Sequence, residues 1–363
     1  MRGVRWSACI HADRSKERRD PIEINISGRV EAIRFSTNGE YLLSGGSGGV
    51  DVWRVEDGQK MATMPGSTVY SLAVSNDGKL IAAGTTRGEV YVWDATTYKR
   101  IFEHSSVDIG KTANGVDFSL DSTRLVSASD NQTACVWDIT TRKQVLLLRP
   151  GASVYAAKYS PQGDRIATAT PGSVRVYDSN DGHLLVNIQV DVTPYYNTGL
   201  LWFNSHLLVI SAGKIKEFDA STGSAVSEWS VPDIYRQSCM ALPKHGKFVA
   251  CSTLNTVTLW DASTHTQLGI IQCASDIRSI AISPDDCFLA IGGVGDKIVI
   301  ERLSRINVSA IYCQVTVHLN DYVRHPLASN DNKNIIQYRK AKATIQMTPP
   351  QYDLVALSYH VLH

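Results

Sequence analysis

The feature that most constrains this chain is a strand-turn-strand pattern that recurs every 40 to 44 residues. In the clearest copy, LVSASDNQTACVWD, two runs of small, β-branched and aromatic residues flank the turn formers Asp130-Asn131-Gln132. Such a pattern predicts a β-hairpin. Seven copies close on aligned positions that lie 40, 44, 40, 41, 42 and 40 residues apart. These positions are Trp53, Trp93, Trp137, Tyr177, Phe218, Trp260 and Ile300.

Each repeat carries two further predicted strands around its hairpin. An apolar segment such as VYSLAVSNDG precedes the hairpin and ends in Ser, Asn, Asp and Gly, which favour a turn. A more amphipathic segment such as KQVLLLR follows the hairpin. Four antiparallel strands repeated seven times predict an all-β, seven-bladed propeller, because each sheet needs neighbours to bury its two faces.

The repeats resemble the WD-repeat family of β-propellers, named for a Trp-Asp pair that closes the third strand. The pair stands here at Trp93-Asp94, Trp137-Asp138 and Trp260-Asp261. The residue pattern of segments such as ATATPGSVRVYDSNDG looks more specifically like that of fungal WD-repeat proteins. The resemblance implies structural roles for Trp53, Trp93, Asp94, Trp137, Asp138, Tyr177, Asp178, Phe218, Asp219, Trp260 and Asp261.

The repeats also depart from the family pattern. Typical WD repeats carry Gly-His before the first strand and an Asp in the hairpin turn, which join a Ser or Thr and the Trp in a buried hydrogen-bonded network. In the repeats that align, the turn position holds Ser, Arg, Asn or Gly, and His104 lies several residues too early. We therefore expect this network to be largely absent and the propeller to have ordinary stability.

The repeats predict the domain organisation. Residues 1–20 mix both charge signs and are expected to form a flexible tail, and residues 21–304 form the propeller. In the WD-repeat family an N-terminal strand completes the last blade. Residues 22–26 (IEINI) suit that place, and residues 310–317 (AIYCQVTV) are the rival segment.

Residues 305–363 break the repeat and form a C-terminal extension, partly helical or disordered. Two helices are predicted, over Asn334–Met347 and Gln351–Leu362, and Pro349-Pro350 separates them because a helix interior does not tolerate proline. A single degenerate tetratricopeptide-like unit is an alternative interpretation of these two helices. The sequence leaves open whether the extension is a working module or a remnant.

The composition narrows the classes of function. Lys and Arg number 36 and Asp and Glu 35, a balance without the basic footprint of nucleic-acid binding. No segment is apolar enough for a signal peptide or a membrane span, so an intracellular, cytoplasmic location is expected, with the nucleus left open. The seven cysteines form no C-x-x-C pair, which argues against a zinc site and a disulfide framework and favours free thiols.

No catalytic, cofactor-binding or metal-binding residues are predicted. The glycine cluster at residues 45–49 lacks the Gly-Lys-Ser/Thr ending of a phosphate loop and falls in register with the hairpin turns, so we interpret it as a turn. The ten histidines include no pair at metal-ligand helical spacing, and no serine has a nucleophile-elbow context. A carboxylate pair assembled from different blades is not excluded.

With no catalytic or metal site predicted, the surface of the propeller is the candidate functional site. In this family, partners dock on the face made by the loops that lead into the first strands and by the hairpin turns. By register, that face has a ring comprising Glu31, Tyr70, Asn114, Tyr155, Thr198, Ser238 and Arg278. Tyrosine and arginine often anchor interfaces. We predict a partner-binding face that consists of Arg29, Glu31, Tyr70, Arg87, Tyr155, Tyr195, Tyr196, Tyr235, Arg236, Asp276 and Arg278.

The predicted function is a non-catalytic scaffold that binds proteins or peptides, including acidic ones, within an intracellular complex or signalling assembly. A mixed aromatic and basic face suits a peptide with acidic residues, although some tyrosines could instead fill gaps between blades. The alternatives are a substrate receptor, a subunit of an RNA-processing complex, or an enzyme with a site in the central channel. No homo-oligomer is indicated, and fold alone does not fix function.

Overall fold

The computed structural model describes residues 21–105, 111–192, 199–232 and 238–303, and the two short strands Thr316–His318 and Thr344–Gln346. Seven four-stranded antiparallel sheets span the first four ranges, and this part of the chain has no α-helix. The predicted seven-bladed propeller is confirmed. The predicted N-terminal tail lies outside the described residues.

Each sheet is a blade, and its four strands are arranged in order from the centre of the propeller outward. The innermost strands are β2 (Val30–Phe35), β6 (Val69–Val74), β10 (Ala113–Phe118), β14 (Ala156–Tyr159), β18 (Leu200–Phe203), β22 (Met240–Ala241) and β26 (Ile277–Ile282). The second strands are β3 (Tyr41–Gly46), β7 (Leu80–Thr85), β11 (Arg124–Ser129), β15 (Arg165–Thr170), β19 (His206–Ser211), β23 (Phe248–Ser252) and β27 (Phe288–Gly293).

The outer half of each blade repeats the same order. The third strands are β4 (Gly49–Arg54), β8 (Glu89–Asp94), β12 (Ala134–Asp138), β16 (Ser173–Asp178), β20 (Lys214–Asp219), β24 (Thr256–Asp261) and β28 (Lys297–Arg302). The outermost strands are β5 (Lys60–Pro65), β9 (Arg100–Ser105), β13 (Lys143–Leu148), β17 (Leu184–Gln189), β21 (Ala225–Ser230), β25 (Gln267–Gln272) and, for the seventh blade, β1 (Ile22–Asn25).

The seventh blade joins the two ends of the repeat region. Strand β1 pairs antiparallel with β28, from Ile22 opposite Ile300 to Asn25 opposite Lys297. Ile24 is buried in the same apolar cluster as residues of the first and seventh blades. Of the rival segment, only residues 316 and 317 lie in a described strand, and that strand pairs with Thr344–Gln346. The N-terminal segment therefore occupies the outer place in this blade.

The hydrophobic core lies between neighbouring blades. One cluster joins Val92 of the second blade to Phe118 and Trp137 of the third, and comparable clusters fill other gaps between blades. Some backbone groups on the free edges of the innermost strands are also satisfied across these gaps. The backbone N–H of Ile33 donates to Ser279 Oγ at 3.0 Å, so a neighbouring blade supplies a missing ladder partner.

The closing aromatic residues are buried in six blades, and one part of the polar network that we expected to be largely absent is present. The indole N–H donates to a hydroxyl oxygen in three blades: Trp53 to Ser44 at 2.8 Å, Trp137 to Ser127 at 2.9 Å, and Trp260 to Thr258 at 2.8 Å. The indole-to-hydroxyl half of the network is thus retained in these blades.

The acid of each Trp-Asp pair has a local structural role. Asp94 Oδ1 accepts hydrogen bonds from the backbone N–H groups of Thr97 at 2.7 Å and Thr96 at 3.1 Å. These bonds to the charged carboxylate lower the pKa of Asp94. The same turn bonds recur at Asp138, Asp178, Asp219 and Asp261. The acid therefore caps the turn that leads to the outermost strand.

Most of the C-terminal extension falls in a second structural unit, Val308–His363, and its first three residues belong to the first unit, Met1–Asn307. The strand Thr344–Gln346 lies inside the first predicted helix, so that prediction is wrong at residues 344–346. Backbone pairing with Thr316–His318 there replaces the local hydrogen bonds that a helix would make. The second predicted helix, Gln351–Leu362, lies outside the described residues.

The cysteines follow the sequence-based expectation at four positions. Cys135, Cys239, Cys251 and Cys273 are free thiols. Burial raises the pKa of the Cys273 thiol to about 11, so it is not a thiolate at neutral pH. Cys287 is disulfide-bonded, and the expectation of free thiols is wrong there.

Candidate functional site

The innermost strands begin at the same end of the propeller at which the second strands turn into the third. The pairing of Val30 with Gly46 shows this directly, since the first residue of β2 lies opposite the last residue of β3. We call this end the upper rim. Its described residues from the predicted face are Arg29, Glu31, Tyr70, Arg87, Tyr155, Asp276 and Arg278. The other predicted residues, Tyr195, Tyr196, Tyr235 and Arg236, lie outside the described residues.

A β-bulge shapes the upper rim in four blades. The pairing of the innermost with the second strand skips one residue between Val30 and Ala32, and the same skip occurs in β6, β10 and β26. A bulge leaves the extra residue unpaired and redirects its side chain. The skipped residues are Glu31, Tyr70, Asn114 and Arg278.

Arg29 and Glu31 form an ion pair on the first blade. Arg29 Nη1 lies 3.5 Å from Glu31 Oε1, and the two side chains are 53% and 11% exposed. Arg29 is exposed, and an ion pair this long near the surface contributes little to stability. The Arg29 guanidinium is therefore available to a partner carboxylate that competes with Glu31.

Arg87 is exposed in the hairpin between β7 and β8. Thr85 Oγ1 accepts from the Arg87 backbone N–H at 3.3 Å and donates to Glu89 Oε2 at 2.9 Å. Burial by itself raises the pKa of Glu89, but hydrogen bonds, the first of them from Ser67, and the charge of Arg87 outweigh it, so the pKa lies below its ordinary value. The rim is therefore not uniformly basic.

The third blade holds its skipped residue by side-chain bonds. Asn114 Nδ2 donates to Asp130 Oδ1 at 2.7 Å and to the Val154 carbonyl at 3.0 Å. Among the described residues, buried Asn114 Oδ1 and Arg278 Nε have no hydrogen-bond partner. Leaving such atoms unpaired costs free energy. Asp130 and Glu89 are rim acids that the sequence-based list left out, because their neighbours across strands determine their place.

The tyrosines of the rim differ in exposure. Tyr70 is 9% exposed and presents little surface, whereas Tyr155 is half-buried. The Tyr155 backbone N–H donates to the Ala169 carbonyl at 2.8 Å, which fixes the start of the fourth blade's innermost strand. Of the two described tyrosines, Tyr155 is the one with surface for a partner.

The glycine-rich stretch of the first blade forms a tight hairpin. Gly49 has φ +121°, and a Cβ there would lie 2.1 Å from the Met64 carbonyl oxygen. Only glycine fits this approach of two strands. The stretch is therefore a turn between β3 and β4, as its register predicts.

No group of three or more His, Cys, Asp or Glu side chains is placed to hold a metal ion in the described ranges. Within the same ranges, no helix is both long and apolar enough to cross a bilayer. The described innermost strands carry two carboxylates, Glu31 near the start of β2 and Asp117 near the end of β10. These two acids stand at different heights along the strands and form no pair of the kind that acid–base catalysis uses.

Comparison with known proteins places the first three blades in a family. Residues 24–54, 58–94 and 97–138 match the model of the family described as WD domain, G-beta repeat. The chain is 24% identical over 230 residues to the U3 small nucleolar RNA-associated protein 15 homolog of Xenopus laevis, covering 62% of this chain and 44% of the relative.

Two further relatives extend the comparison. The chain is 23% identical over 323 residues to autophagy-related protein 16 of Arabidopsis thaliana, covering 85% of this chain and 55% of the relative. It is 26% identical over 206 residues to eukaryotic translation initiation factor 3 subunit I of Sclerotinia sclerotiorum, covering 51% and 59%. The chain thus spans about half the length of these curated relatives.

Proposed function

We propose that this chain, whose first three blades match the family described as WD domain, G-beta repeat, is a non-catalytic scaffold whose upper rim binds protein or peptide partners inside the cell. The observation that carries the proposal is the bulge repeated in four blades, which sets Glu31, Tyr70, Asn114 and Arg278 at the same point of the rim. Propellers support many functions, so the assignment rests on this rim rather than on the fold.

The chemistry of the rim favours a partner with acidic side chains. Arg29 and Arg87 are exposed, and Arg278 is half-buried with an unpaired Nε. Guanidinium groups bind carboxylates with paired, charge-assisted hydrogen bonds. Half-buried Tyr155 adds apolar area with a polar end, as interface anchors do. Glu31 and Glu89 would disfavour a partner whose acids are spaced to face them.

A subunit of an RNA-processing complex is the second candidate, and one relative favours it. That relative is named as associated with a small nucleolar RNA. The net charge of +1 gives this chain no broad basic footprint for RNA itself. In that role the chain would contact proteins of the complex through the same rim, in the nucleus rather than the cytoplasm.

The test is affinity purification with mass spectrometry from the source cells, with three forms of the full chain as baits. The rim variant is Arg29→Ala, Arg87→Ala, Arg278→Ala. The matched control removes three exposed cations from the lower end, as Lys79→Ala, Lys99→Ala, Lys143→Ala. Both triple variants are checked for folding by circular dichroism and thermal melting.

The proposal expects partners that the wild type and the control recover and the folded rim variant loses. Partners recovered equally with all three baits would overturn the assignment of the rim. The identity of the lost partners distinguishes the two candidates, because proteins of an RNA-processing complex would favour the second.

A further inference from the structure

The seven innermost strands close into a ring around a central channel. Each packs beside its two neighbours, and β26 of the seventh blade packs beside β2 of the first. The inner edges of these strands, and the side chains near those edges, therefore surround the axis of the propeller. Nothing in the proposed scaffold function uses this channel.

One level of the ring has an unusual composition. The strand pairings align seven residues, one in each blade, that lie opposite the third residue of the second strand. They are Arg34, Ala73, Asp117, Lys158, Leu201, Ala241 and Ala281. Two cations and one acid thus share a level with three alanines and a leucine.

Asp117 is fully engaged by its neighbours in the next blade. Its Oδ1 lies 3.2 Å from Lys158 Nζ, and its Oδ2 accepts from the Tyr159 backbone N–H at 2.9 Å. The Lys158 and Asp117 side chains are 13% and 25% exposed. This carboxylate therefore neutralises one cation and has little capacity left for a second.

Arg34 stands at the same level of the ring as this pair. It belongs to the first blade, whereas Asp117 and Lys158 belong to the third and fourth, yet it interacts electrostatically with both. Burial lowers the pKa of Lys158, and the nearby charge of Arg34 lowers it further against the pull of Asp117. Within the described residues, the guanidinium makes one hydrogen bond, from Nη1 to the Ile33 carbonyl at 2.8 Å.

No second anion balances Arg34 among the described groups around it. Cys239 is the other group that acts on its charge, and burial raises the pKa of that thiol to about 11. The thiol is therefore neutral at pH 7 and lies 2.9 Å from Ser252 Oγ. The cluster holds two positive charges against one negative charge in a confined space, where an unpaired charge is costly.

We propose that the central channel binds a phosphate group between Arg34 and Lys158. The free guanidinium N–H groups of Arg34 match the paired oxygens of a phosphate, and Lys158 supplies a point charge. A bound phosphate compensates the excess positive charge and separates two cations that otherwise repel each other.

The test is isothermal titration calorimetry of the full chain with inorganic phosphate, at constant ionic strength set with chloride. Arg34→Met and Lys158→Met each remove one charge-assisted contact and should weaken phosphate binding by about tenfold or more. Lys99→Met removes an exposed lysine at the lower end and should leave the dissociation constant unchanged. Circular dichroism checks the fold of every variant.

Asp117→Asn provides a test in the opposite direction. The amide keeps an acceptor for the Tyr159 N–H but removes the negative charge that competes with phosphate, so binding should tighten severalfold. The two losses together with this gain support the site. No phosphate binding to the wild type, equal binding in all variants, or a weaker Asp117→Asn variant would overturn it.

A second titration distinguishes the source of the phosphate. Glycerol 3-phosphate carries the same group on a small organic molecule. Binding of both probes with the same dependence on Arg34 and Lys158 assigns the channel to phosphate esters, whereas binding of inorganic phosphate alone assigns it to the free ion. Either pattern supports a phosphate site, and these readouts are independent of partner recovery at the upper rim.

Discussion

The third and fifth blades have the same architecture but use different polar contacts. In the third blade, Trp137 donates to Ser127 at 2.9 Å, and the His104 ring packs on the indole at 4.1 Å between centroids. In the fifth blade, Phe218 stands at the closing position and has no N–H to donate. Both blades nevertheless keep a register shift at that position in the pairing of the third and fourth strands.

The fifth blade moves its polar contacts one residue along the third strand. Glu217, 7% exposed, accepts from Ser227 Oγ at 2.6 Å through Oε2, and its Oε1 lies 2.6 Å from His206 Nδ1. The comparison teaches that apolar packing and strand register define a blade, whereas the location of its hydrogen-bonded cluster is free to vary. This is why the repeat persists beyond residue 138, where the family match ends.

The largest effect should come from truncating the closing aromatic residue in either blade. Trp137 and Phe218 are 4% and 7% exposed, so Trp137→Ala and Phe218→Ala each leave a cavity and should lower the free energy of unfolding by about 3–5 kcal/mol. Urea denaturation measures both. A cost below about 1 kcal/mol for Phe218→Ala would show that the fifth blade does not depend on this packing.

Removing the negative charge of Glu217 in the fifth blade should have the next largest effect on the free energy of unfolding. Glu217→Gln keeps the shape but weakens the bonds to Ser227 and His206, and should cost about 1–3 kcal/mol. Glu228→Gln, on the exposed side of β21, is the matched control: it removes only a surface ion pair with Lys214 and should leave the free energy of unfolding nearly unchanged. Equal effects of the two changes would remove the structural role we give to Glu217.

A smaller effect should come from the indole bond of the third blade. Trp137→Phe gives this blade the same closing residue as the fifth and keeps most of the buried area. It leaves Ser127 without its hydrogen-bond donor, so it should lower the free energy of unfolding by about 1–2 kcal/mol. In the Ser127→Ala background the same change should cost less, because no hydroxyl is left unsatisfied. A double-mutant cycle by chemical denaturation measures the difference, and additive costs would contradict the pairing.

The smallest expected effect is a pH dependence from His104. Burial lowers the pKa of His104 below its ordinary value of 6.5, so the unfolded chain binds the proton more readily than the folded chain. Stability from this group is therefore lost as the pH falls through 6.5. His104→Phe keeps a ring against Trp137 and should flatten the decline in unfolding free energy between pH 7 and 5, by less than about 1 kcal/mol. An unchanged slope would contradict the assignment.

The sequence predicted the blades well because their signals are local and periodic. The spacing of the closing residues from Trp53 to Ile300 fixed the number of sheets, and register alone placed Glu31 and Arg278 on one ring. Backbone pairing shows why that ring stands out, since the bulges that skip these residues leave no mark in the residue pattern. The narrower likeness to fungal WD-repeat proteins stays a prediction.

Contacts between distant repeats escaped sequence analysis. Arg34 and Lys158 are separated by three blades' length of chain, and only closure of the ring brings their charges together. The contacts of Glu217 were also hidden, because its partners His206 and Ser227 lie on the two neighbouring strands. The helix predicted over Asn334–Met347 rested on a weak apolar stripe, which pairing at residues 344–346 overrides.

The most direct test of the central claim, that the upper rim is the binding surface, is site-specific photocross-linking in the source cells. A photoreactive phenylalanine derivative replaces exposed Arg87 at the upper rim in one form of the chain and exposed Lys79 at the lower end in another. The account predicts that defined partner proteins cross-link from position 87 and not from position 79. Cross-links from position 79 alone, or equally from both ends, would contradict it.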